Sequence, residues 1–409
     1  MSNSGKCIES CAMAQLRWLG CALVAMLSAT GCGGGGGTDG NIHSIMGATD
    51  IAVPTAVATS LRFTDLAVGL HHACGLTAAG TIYCWGANEY GQLGSAEPMA
   101  MCDHGATPCS SAPVPIVSTE AFVGLAASLM HSCAATHAGA VWCWGYGDGG
   151  QLGNGLSTSS ATPVQVAGST ALTTVALGGS GLISCAISPA GAGFCWGPGG
   201  GGGGLGDGTT GGANAPVAVA GGLVFSELAV GDNHACGIAS GTVAYCWGHN
   251  NYGTLGLGVP GASSVPSPVA GGLAFTNISA GLAHTCGLVA DGSAYCWGFP
   301  PAVGSAVSGS SVSAPTPVAG DRHFKAISAG GNHTCALDAA GAAWCWGQNY
   351  GGELGDGTHT DRAAPVAVAT TLRFVMIRAG GSTCALDAAG HAYCWGSNLF
   401  GQLGQPPAP

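Results

Sequence analysis

The chain has 409 residues, of which 75 are glycine and only 7 % are charged, and its formal net charge is −11 at pH 7. The low charge excludes a disordered polar chain, and the high glycine content favours a turn-rich all-β protein. Only two lysines occur, Lys6 and Lys325, so the basic surface that nucleic-acid binding requires is missing and no nucleic-acid partner is expected.

The first 31 residues have the layout of an export signal. Arg17 precedes an apolar run at 18–27 (WLGCALVAML), and small residues lead from there to Cys32. The run is too short to span a bilayer. The segment resembles the signal of bacterial lipoproteins, in which a cysteine after a small residue is lipidated and becomes the mature N-terminus. We therefore expect a signal peptide at 1–31 and lipidation of Cys32; the alternative is an ordinary cleaved signal and simple secretion.

Five consecutive glycines follow Cys32 at 33–37. Glycine-rich segments behave as flexible chains, so residues 32–50 are predicted to form a tether and residues 51–409 the folded part. A tether suits a domain that contacts the membrane only through a lipid. The expected location is the bacterial cell envelope, as an outer-membrane lipoprotein that faces the periplasm or the surface.

From residue 61 onward one motif recurs seven times: a cysteine, nine residues, then Cys-Trp-Gly. The second cysteines are Cys84, Cys143, Cys195, Cys246, Cys296, Cys345 and Cys394. A period near 50 residues indicates a propeller or solenoid, in which each unit buries its faces against its neighbours. In the last copy, three strand segments start at 372, 384 and 392, and Asp387-Ala388-Ala389-Gly390 has the composition of a turn.

Twenty cysteines are too many for a reducing cytosol unless they bind metal. The fixed separation of ten residues centres each pair on a three-residue hairpin loop that ends in a glycine. The two cysteines then lie opposite each other at a non-hydrogen-bonded position, about 4.5 Å apart at Cα, which suits a disulfide. We predict seven hairpin disulfides: Cys74–Cys84, Cys133–Cys143, Cys185–Cys195, Cys236–Cys246, Cys286–Cys296, Cys335–Cys345 and Cys384–Cys394.

A metal site is the alternative, because a histidine stands two residues before the first cysteine in five copies: His72, His131, His234, His284 and His333. The other two copies have Ile183 and Ser382 at this place, whereas all seven keep both cysteines. Disulfides therefore account for the repeated part, and neither a metal nor another cofactor is predicted. The histidines are expected to hydrogen-bond to backbone near the blade rim.

An aromatic residue precedes the second cysteine in every copy, and a tryptophan follows it. Along a strand these two aromatic side chains point to one face and the sulfur to the other. Both faces of such a unit are covered by neighbours, so we predict packing between units. A row of aromatic side chains that binds a ligand is the alternative.

The segments 85–94 (WGANEYGQLG) and 395–404 (WGSNLFGQLG) resemble the repeat of the regulator of chromosome condensation family, including its glycine before a histidine and its Leu-Gly turn. The resemblance covers residues 54–404. It implies a seven-bladed β-propeller with four antiparallel strands in each blade. Known members include a nucleotide exchange factor for a eukaryotic small GTPase and β-lactamase inhibitor protein II, a secreted bacterial inhibitor, and both act by protein–protein contact.

A Pro-Val pair follows the turn region in six copies, and the seventh is missing because the chain ends shortly after Gly404. The segment 54–63 (PTAVATSLRF) parallels 365–374 (PVAVATTLRF). We therefore predict that an N-terminal strand completes the last blade and closes the ring.

The sequence favours a binding scaffold over an enzyme. The segments that start at Asp207 and Asp356 read as Asx turns, and the glycine run 199–204 lacks the lysine of a phosphate loop. An insertion at 95–109 lengthens the first repeat, and Cys102–Cys109 is expected to be an eighth disulfide there. Its residues Met99, Met101, Asp103 and His104 are the predicted contact residues, and the alternative is that the insertion is neutral. The expected partner is an unidentified protein; the alternatives are a cell-wall polysaccharide, an enzyme site at a propeller mouth, and exchange-factor activity by family analogy.

Overall fold

The computed structural model describes residues 50–406, except 103–104, 169, 179–181, 240 and 308. The predicted signal peptide, Cys32 and most of the predicted tether lie outside the described residues. The described part is all-β, with two short 3-10 turns at Asn251–Gly253 and Pro300–Ala302. Neither of these helical turns is long and apolar enough to cross a membrane.

The strands, numbered β1 to β29 in chain order, form seven antiparallel sheets, and each sheet is one blade. Blade 1 contains β2 (Phe63–Val68), β3 (His72–Thr77), β4 (Ile82–Ala87) and β6 (Thr107–Pro115), with β5 (Ala100–Cys102) paired to β6. Blade 2 contains β7 (Phe122–Ala127), β8 (His131–Thr136), β9 (Val141–Gly145) and β10 (Ser160–Gln165). Blade 3 contains β11 (Thr174–Leu177), β12 (Ser184–Ile187), β13 (Gly193–Gly197) and β14 (Ala213–Ala218).

The second half of the ring repeats this plan. Blade 4 contains β15 (Phe225–Val230), β16 (His234–Ala239), β17 (Val243–Gly248) and β18 (Ser263–Pro268). Blade 5 contains β19 (Phe275–Ala280), β20 (His284–Val289), β21 (Ala294–Gly298) and β22 (Val312–Pro317). Blade 6 contains β23 (Phe324–Ala329), β24 (His333–Asp338), β25 (Ala343–Gly347) and β26 (Arg362–Ala367). Blade 7 contains β27 (Phe374–Ala379), β28 (Thr383–Asp387), β29 (Ala392–Gly396) and β1 (Ile51–Ala56).

The ring closes through β1, which pairs antiparallel with β29 and supplies the outer strand of blade 7. Ile51 lies opposite Gly396, and Thr55 lies opposite Cys394. The amide of Ala58 then donates a hydrogen bond to the carbonyl of Gly404. The seven-bladed propeller and the closure by an N-terminal strand, both predicted from the repeat, are confirmed. Closure pairs the two ends of the chain and leaves no unpaired blade to open the ring.

The hydrophobic core is divided into seven clusters, one at each interface between blades. At the interface of blades 3 and 4, Cys185 and Cys195 lie on one side, and Trp247 lies on the other with Tyr245 packed beside it. The tryptophan after each second cysteine is fully buried in every blade. The alternation along the third strand therefore produces packing between blades, as the sequence predicted.

The antiparallel order of the strands gives the propeller two distinct faces. The connections from first to second strand and from third to fourth strand lie on one side, which we call the loop face; in blade 1 the described residues of these connections are 69–71, 88–102 and 105–106. The second-to-third turns and the links to the next blade lie on the other side, the turn face; in blade 1 these are 78–81 and 116–121. The first strand of every blade lines the central channel.

Candidate functional site

Five histidines open the second strands of their blades, and all five are fully buried against the next blade. The Nε2 atom of His284, for example, lies 2.8 Å from the hydroxyl of Thr334 in blade 6. The same contact joins His72 to Ser132, His131 to Ser184, His234 to Thr285 and His333 to Thr383. The expectation that these histidines bond to backbone is therefore wrong: their Nε2 atoms meet side-chain hydroxyls of the neighbouring blade.

Each of these hydroxyls also donates a hydrogen bond to a backbone carbonyl. Thr334 Oγ1 donates to the carbonyl of Ala302 at 3.1 Å, and the indole of Trp346 donates to the same oxygen at 3.0 Å. Because the hydroxyl's one proton goes to the carbonyl, His284 must donate its Nε2 proton to the hydroxyl. The carbonyl belongs to the residue before Val303, which occupies the place of the buried leucine in the other Leu-Gly turns. Blade 5 therefore has the same turn as the other blades, although its sequence lacks the Leu-Gly pair.

Two blade interfaces lack the histidine–hydroxyl contact. In each of them the histidine and the hydroxyl residue that would face it are both replaced. Blade 3 has Ile183 in place of histidine, and blade 4 has Ala235 in place of the hydroxyl. Blade 7 has Ser382, and blade 1 has Ala73 opposite it. A buried imidazole without its partner costs about 1–3 kcal/mol, so the histidine and the hydroxyl that faces it are expected to be lost together. The hydroxyl of Ser382 is itself buried and makes no hydrogen bond among the described residues. This pairing is visible in the sequence once the contact is known to join consecutive repeats.

The histidine contacts are structural rather than metal-binding. Burial lowers the pKa of His72, His131 and His284 to about 3 and that of His234 and His333 to about 4. The rings are therefore neutral at pH 7 and their Nε2 atoms are engaged. In the part of the chain that the structure describes, no group of three or more His, Cys, Asp or Glu residues is placed to hold a metal ion.

Eight disulfides join the cysteine pairs identified in the sequence. In the seven hairpins the paired cysteines lie directly opposite each other, as Cys74 and Cys84 do, with Cα atoms 4.0 Å apart. The sulfur atoms are buried in the interfaces between blades. These bonds therefore cross-link the second and third strands of each blade within the core.

The insertion of the first repeat forms a hairpin that projects from the loop face. Its strand β5 pairs with the first residues of β6, and Cys102 is bonded to Cys109. Met101 is 56 % exposed, whereas Met99 packs against the buried cluster between blades 1 and 2. Asp103 and His104, the other two predicted contact residues, lie outside the described residues. Of the four predicted contact residues, Met101 is therefore the one that the structure shows to be exposed.

The loop face also carries aromatic pairs that span neighbouring blades. The rings of Tyr90 and Tyr146 are 5.0 Å apart, and those of Tyr252 and Phe299 are 5.4 Å apart. Tyr350 is 66 % exposed on this face and Tyr252 is 43 % exposed. Tyr90 and Tyr252 each lie five residues after the tryptophan of the Cys-Trp-Gly motif, and Tyr146 and Phe299 each lie two residues after it. The sequence analysis included Tyr90 in the repeat segment 85–94 but assigned none of these aromatic residues a binding role.

The two Asp-Gly-Thr segments are Asx turns. The Oδ1 atom of Asp207 accepts hydrogen bonds from the amide and hydroxyl of Thr209, each at 2.9 Å. Asp356 holds Thr358 in the same way and also forms an ion pair with Arg362 at 2.8 Å. The glycine run 199–204 packs beneath the ring of His249, whose Nε2 hydrogen-bonds to the carbonyl of Gly200. Local turns and packing account for all three segments.

The fold and these contacts define a closed, disulfide-linked β-propeller of repeated blades. The chain belongs to the regulator of chromosome condensation (RCC1) repeat family. One model of that repeat matches residues 79–135, 138–184, 241–288 and 340–386, and a second matches 63–92 and 324–353.

Two curated relatives share part of the chain. The human E3 ubiquitin-protein ligase HERC2 is 29 % identical over 198 residues, which are 47 % of this chain and 4 % of that protein. The Arabidopsis thaliana ultraviolet-B receptor UVR8 is 29 % identical over 210 residues, 49 % of this chain and 44 % of that protein. The matched regions thus span less than half the length of these relatives.

Solved structures show the same fold. Human WBSCR16 superposes with a TM-score of 0.72 at 18 % identity, covering 85 % of this chain and 90 % of that one. Yeast RCC1 (Prp20), solved bound to Kap60, gives a TM-score of 0.69 at 21 % identity, covering 82 % and 80 %.

The histidine–hydroxyl contact predicts strong coupling between two positions in neighbouring blades. Thr334→Ala leaves the buried Nε2 proton of His284 without an acceptor and should lower the free energy of unfolding by about 2 kcal/mol. His284→Ile combined with Thr334→Ala recreates the natural pair Ile183 and Ala235. The double variant should therefore lose at least about 1 kcal/mol less than the sum of the single variants. Denaturant midpoints under oxidising conditions measure this, with the exposed Thr276→Ala as control; additive losses would contradict it.

The buried histidines also predict acid sensitivity. Their folded-state pKa values lie below the unfolded value near 6.5, so below that pH the unfolded chain binds more protons and stability falls, by up to about 1.4 kcal/mol per histidine per pH unit. Three carboxyls act in the opposite direction, because burial raises the pKa of Glu227 and Glu353 to about 7 and that of Asp232 to about 6. These three carboxyls are partly exposed and fewer than the histidines, so the histidines should dominate.

The denaturant midpoint should therefore fall as the pH is lowered from 7 to 5. The double variant at His284 and Thr334 removes one of the five histidines, so its midpoint should fall less steeply. A wild-type midpoint that stays constant over this range would refute the assignment.

Proposed function

We propose that this protein is an exported binding scaffold that captures a protein partner with its loop face and is held at the cell envelope by a lipid on Cys32. Propellers of this family are generally binding or exchange-factor folds rather than catalytic ones. The observation that carries the proposal is the separation of charge and exposed aromatic side chains between the two faces.

The loop face is acidic within the described residues, even though burial raises the pKa of Glu353 to about 7 and that of Asp232 to about 6. Its connections and adjoining strand ends carry Asp50, Glu89, Glu97, Asp148, Asp207, Asp232, Glu353, Asp356 and Asp361, and its one base there is Arg362. The turn face is nearly balanced: it carries the bases Arg62, Arg322, Lys325 and Arg373 with the acids Glu120, Asp291, Asp321, Asp338 and Asp387. A face of one sign attracts partners of the opposite sign and repels others. The loop face is therefore suited to a partner with a basic surface.

Exposed tyrosines give this face its contact groups. Tyr252 and Tyr350 present large rings at low entropic cost, and tyrosine is enriched among the residues that dominate binding energy. Tyr252 has φ of 60°, the one positive φ of a non-glycine residue among those described. The hairpin that carries Met101 projects on the same side. Tyr252, Tyr350 and Met101 thus give the loop face apolar contact groups that are surrounded by acidic residues.

The disulfides and the chain path support the envelope location. Eight disulfides are compatible with an oxidising compartment. The strand β1 enters the propeller at the loop face, because Ile51 pairs with Gly396 at the loop-face end of β29. The predicted tether therefore joins the propeller on the face proposed to bind. A partner that lies at the membrane surface would meet this arrangement.

A cell-wall polysaccharide is the second candidate ligand. The half-exposed rings of Tyr252 and Tyr350 favour it, since each has an apolar face and a polar hydroxyl. Such a ligand would not depend on the charge of the loop face.

Photocrosslinking tests which face binds and what it binds. With p-benzoylphenylalanine at Tyr350, irradiation in a cell-envelope extract should give a discrete protein adduct. The matched control is Val375, which is 57 % exposed on the turn face and should give none. Raising the salt from 50 to 300 mM should weaken capture because the attraction is electrostatic.

Two outcomes would change the proposal. An adduct that a wall-degrading enzyme removes would identify the polysaccharide instead. Equal labelling from Tyr350 and Val375, or labelling from Val375 alone, would reject the loop face. Replacing residues 97–109 with a short turn shows whether the hairpin contributes: capture should fall if Met101 is a contact.

The lipid anchor has a separate test. Radiolabelled palmitate should enter the full-length protein and be lost in Cys32→Ala, while Cys21→Ala, a change within the apolar run, should keep the label. Wild-type protein without label would reject the anchor and leave the cleaved signal as the explanation. The face assignment does not depend on this result.

A further inference from the structure

The first strands of the seven blades enclose a central channel with a cavity of about 330 Å³. Its wall is divided into two halves of different character. At one level, blades 1 to 3 present Ala67, Ala126 and Ala176 to the cavity. At the same level, blades 5 to 7 present the polar side chains Ser279, Ser328 and Arg378. At this level the side chains are therefore apolar on one side of the channel and polar on the other.

Most polar groups of the wall are already engaged with a neighbouring blade. Ser279 and Ser328 accept hydrogen bonds from the amides of Ala329 and Ala379, both at 2.9 Å. Arg378 reaches across the closing interface to blade 1. Its Nη2 atom lies 3.2 Å from Asp65 Oδ1, and its Nε donates to a backbone carbonyl of the same strand.

Glu227 differs because it forms no ion pair within the part of the chain that the structure describes. Its Oε1 accepts a hydrogen bond from Asn277 Nδ2 at 2.7 Å, and the amide of Ile278 also bonds to the carboxylate. Arg378, the one base among the residues that line the channel, is ion-paired with Asp65. The Glu227 carboxylate is therefore left without a counter-ion among the described residues. Burial raises the pKa of Glu227 to about 7, and the hydrogen bond from the amide of Ile278 and the charge of Arg378 offset this only in part.

We propose that the channel binds a primary ammonium or guanidinium group on an unbranched alkyl stem, with the Glu227 carboxylate as its counter-ion. This site does not depend on the protein-binding role of the loop face. The ligand's source is either a free alkyl amine or a lysine or arginine side chain of a partner.

The geometry fits such a ligand that enters from the loop face. The inner strands run from the turn face to the loop face, so Ala229 lies two residues beyond Glu227 toward the loop face, at the level of the alanines. Two residues of a strand span about 7 Å, which is close to the length of a lysine side chain. The stem would lie against the alanines while the cationic group reaches Glu227. The remaining charged residues nearby, Asp291, His323 and Lys325, line a groove on the turn face that shares Asn277 and Arg378 with the channel.

Calorimetric titration of the full-length protein tests the site with defined probes. At pH 8, 1,5-diaminopentane and a capped alanine peptide with one central lysine should each be tried, with 1-hexanol as the uncharged control. One or both amines should bind saturably at one site, and hexanol should not. Glu227→Gln should weaken binding at least about tenfold, whereas Glu120→Gln, an exposed acid of the turn face, should leave it unchanged.

The pH dependence separates the site from general charge attraction. Because a proton competes with the ligand for Glu227, affinity should fall about tenfold from pH 8 to pH 6, and this dependence should vanish in Glu227→Gln. That variant removes an unpaired buried charge, so it should melt no lower than the wild type at pH 8. Tighter binding of the peptide identifies a partner side chain as the source, and tighter binding of the diamine identifies a free amine. Equal affinities of wild type and Glu227→Gln, or no saturable binding of either probe, would overturn the proposal whatever the crosslinking result.

Discussion

The structure depends on one backbone carbonyl at the Leu-Gly turn of each blade. In six of the interfaces this oxygen accepts the indole N–H of the tryptophan from the next blade, as the carbonyl of Gln92 accepts from Trp144 at 2.9 Å. In four of them a hydroxyl that carries a histidine contact donates to the same oxygen. At the interface of blades 6 and 7, Thr383 donates to the carbonyl of Glu353, but the indole of Trp395 makes no hydrogen bond among the described residues. A buried carbonyl must find donors, and here the donors belong to the neighbouring blade. The turn of one blade is therefore completed only when the next blade is in place.

This constraint explains how the faces can vary while the ring stays the same. The disulfide, the tryptophan and the turn carbonyl all lie within the interfaces, so the loop-face connections are constrained at the Leu-Gly turn and free to vary elsewhere. A hairpin insertion in blade 1 and a proline-rich turn in blade 5 are both accommodated there. Rigid scaffolds with variable connections are the usual place for binding residues. The acidic charge and exposed tyrosines of the loop face follow that pattern.

The titratable groups fall into two classes with opposite consequences. The histidines are buried beside neutral partners, so their lowered pKa values result from packing and do not indicate a chemical role. Burial raises the pKa of Glu227, which is partly exposed to a cavity and has no ion-pair partner among the described residues to lower that pKa. The distinction rests on what each group contacts, because burial alone shifts both.

The sequence by itself determined the blade. The spacing of ten between cysteines fixes hairpin register, the period near 50 fixes the repeat, and the match between 54–63 and 365–374 reveals the closing strand, because each is a local or repeated pattern. The partners of the histidines were decided by tertiary structure, since Thr334 belongs to the next blade and not to the repeat of His284. The tertiary structure also decided the acidity of the loop face and the isolation of Glu227 in the channel. Those properties arise when residues about 50 positions apart are brought side by side by ring closure, and no single repeat contains them.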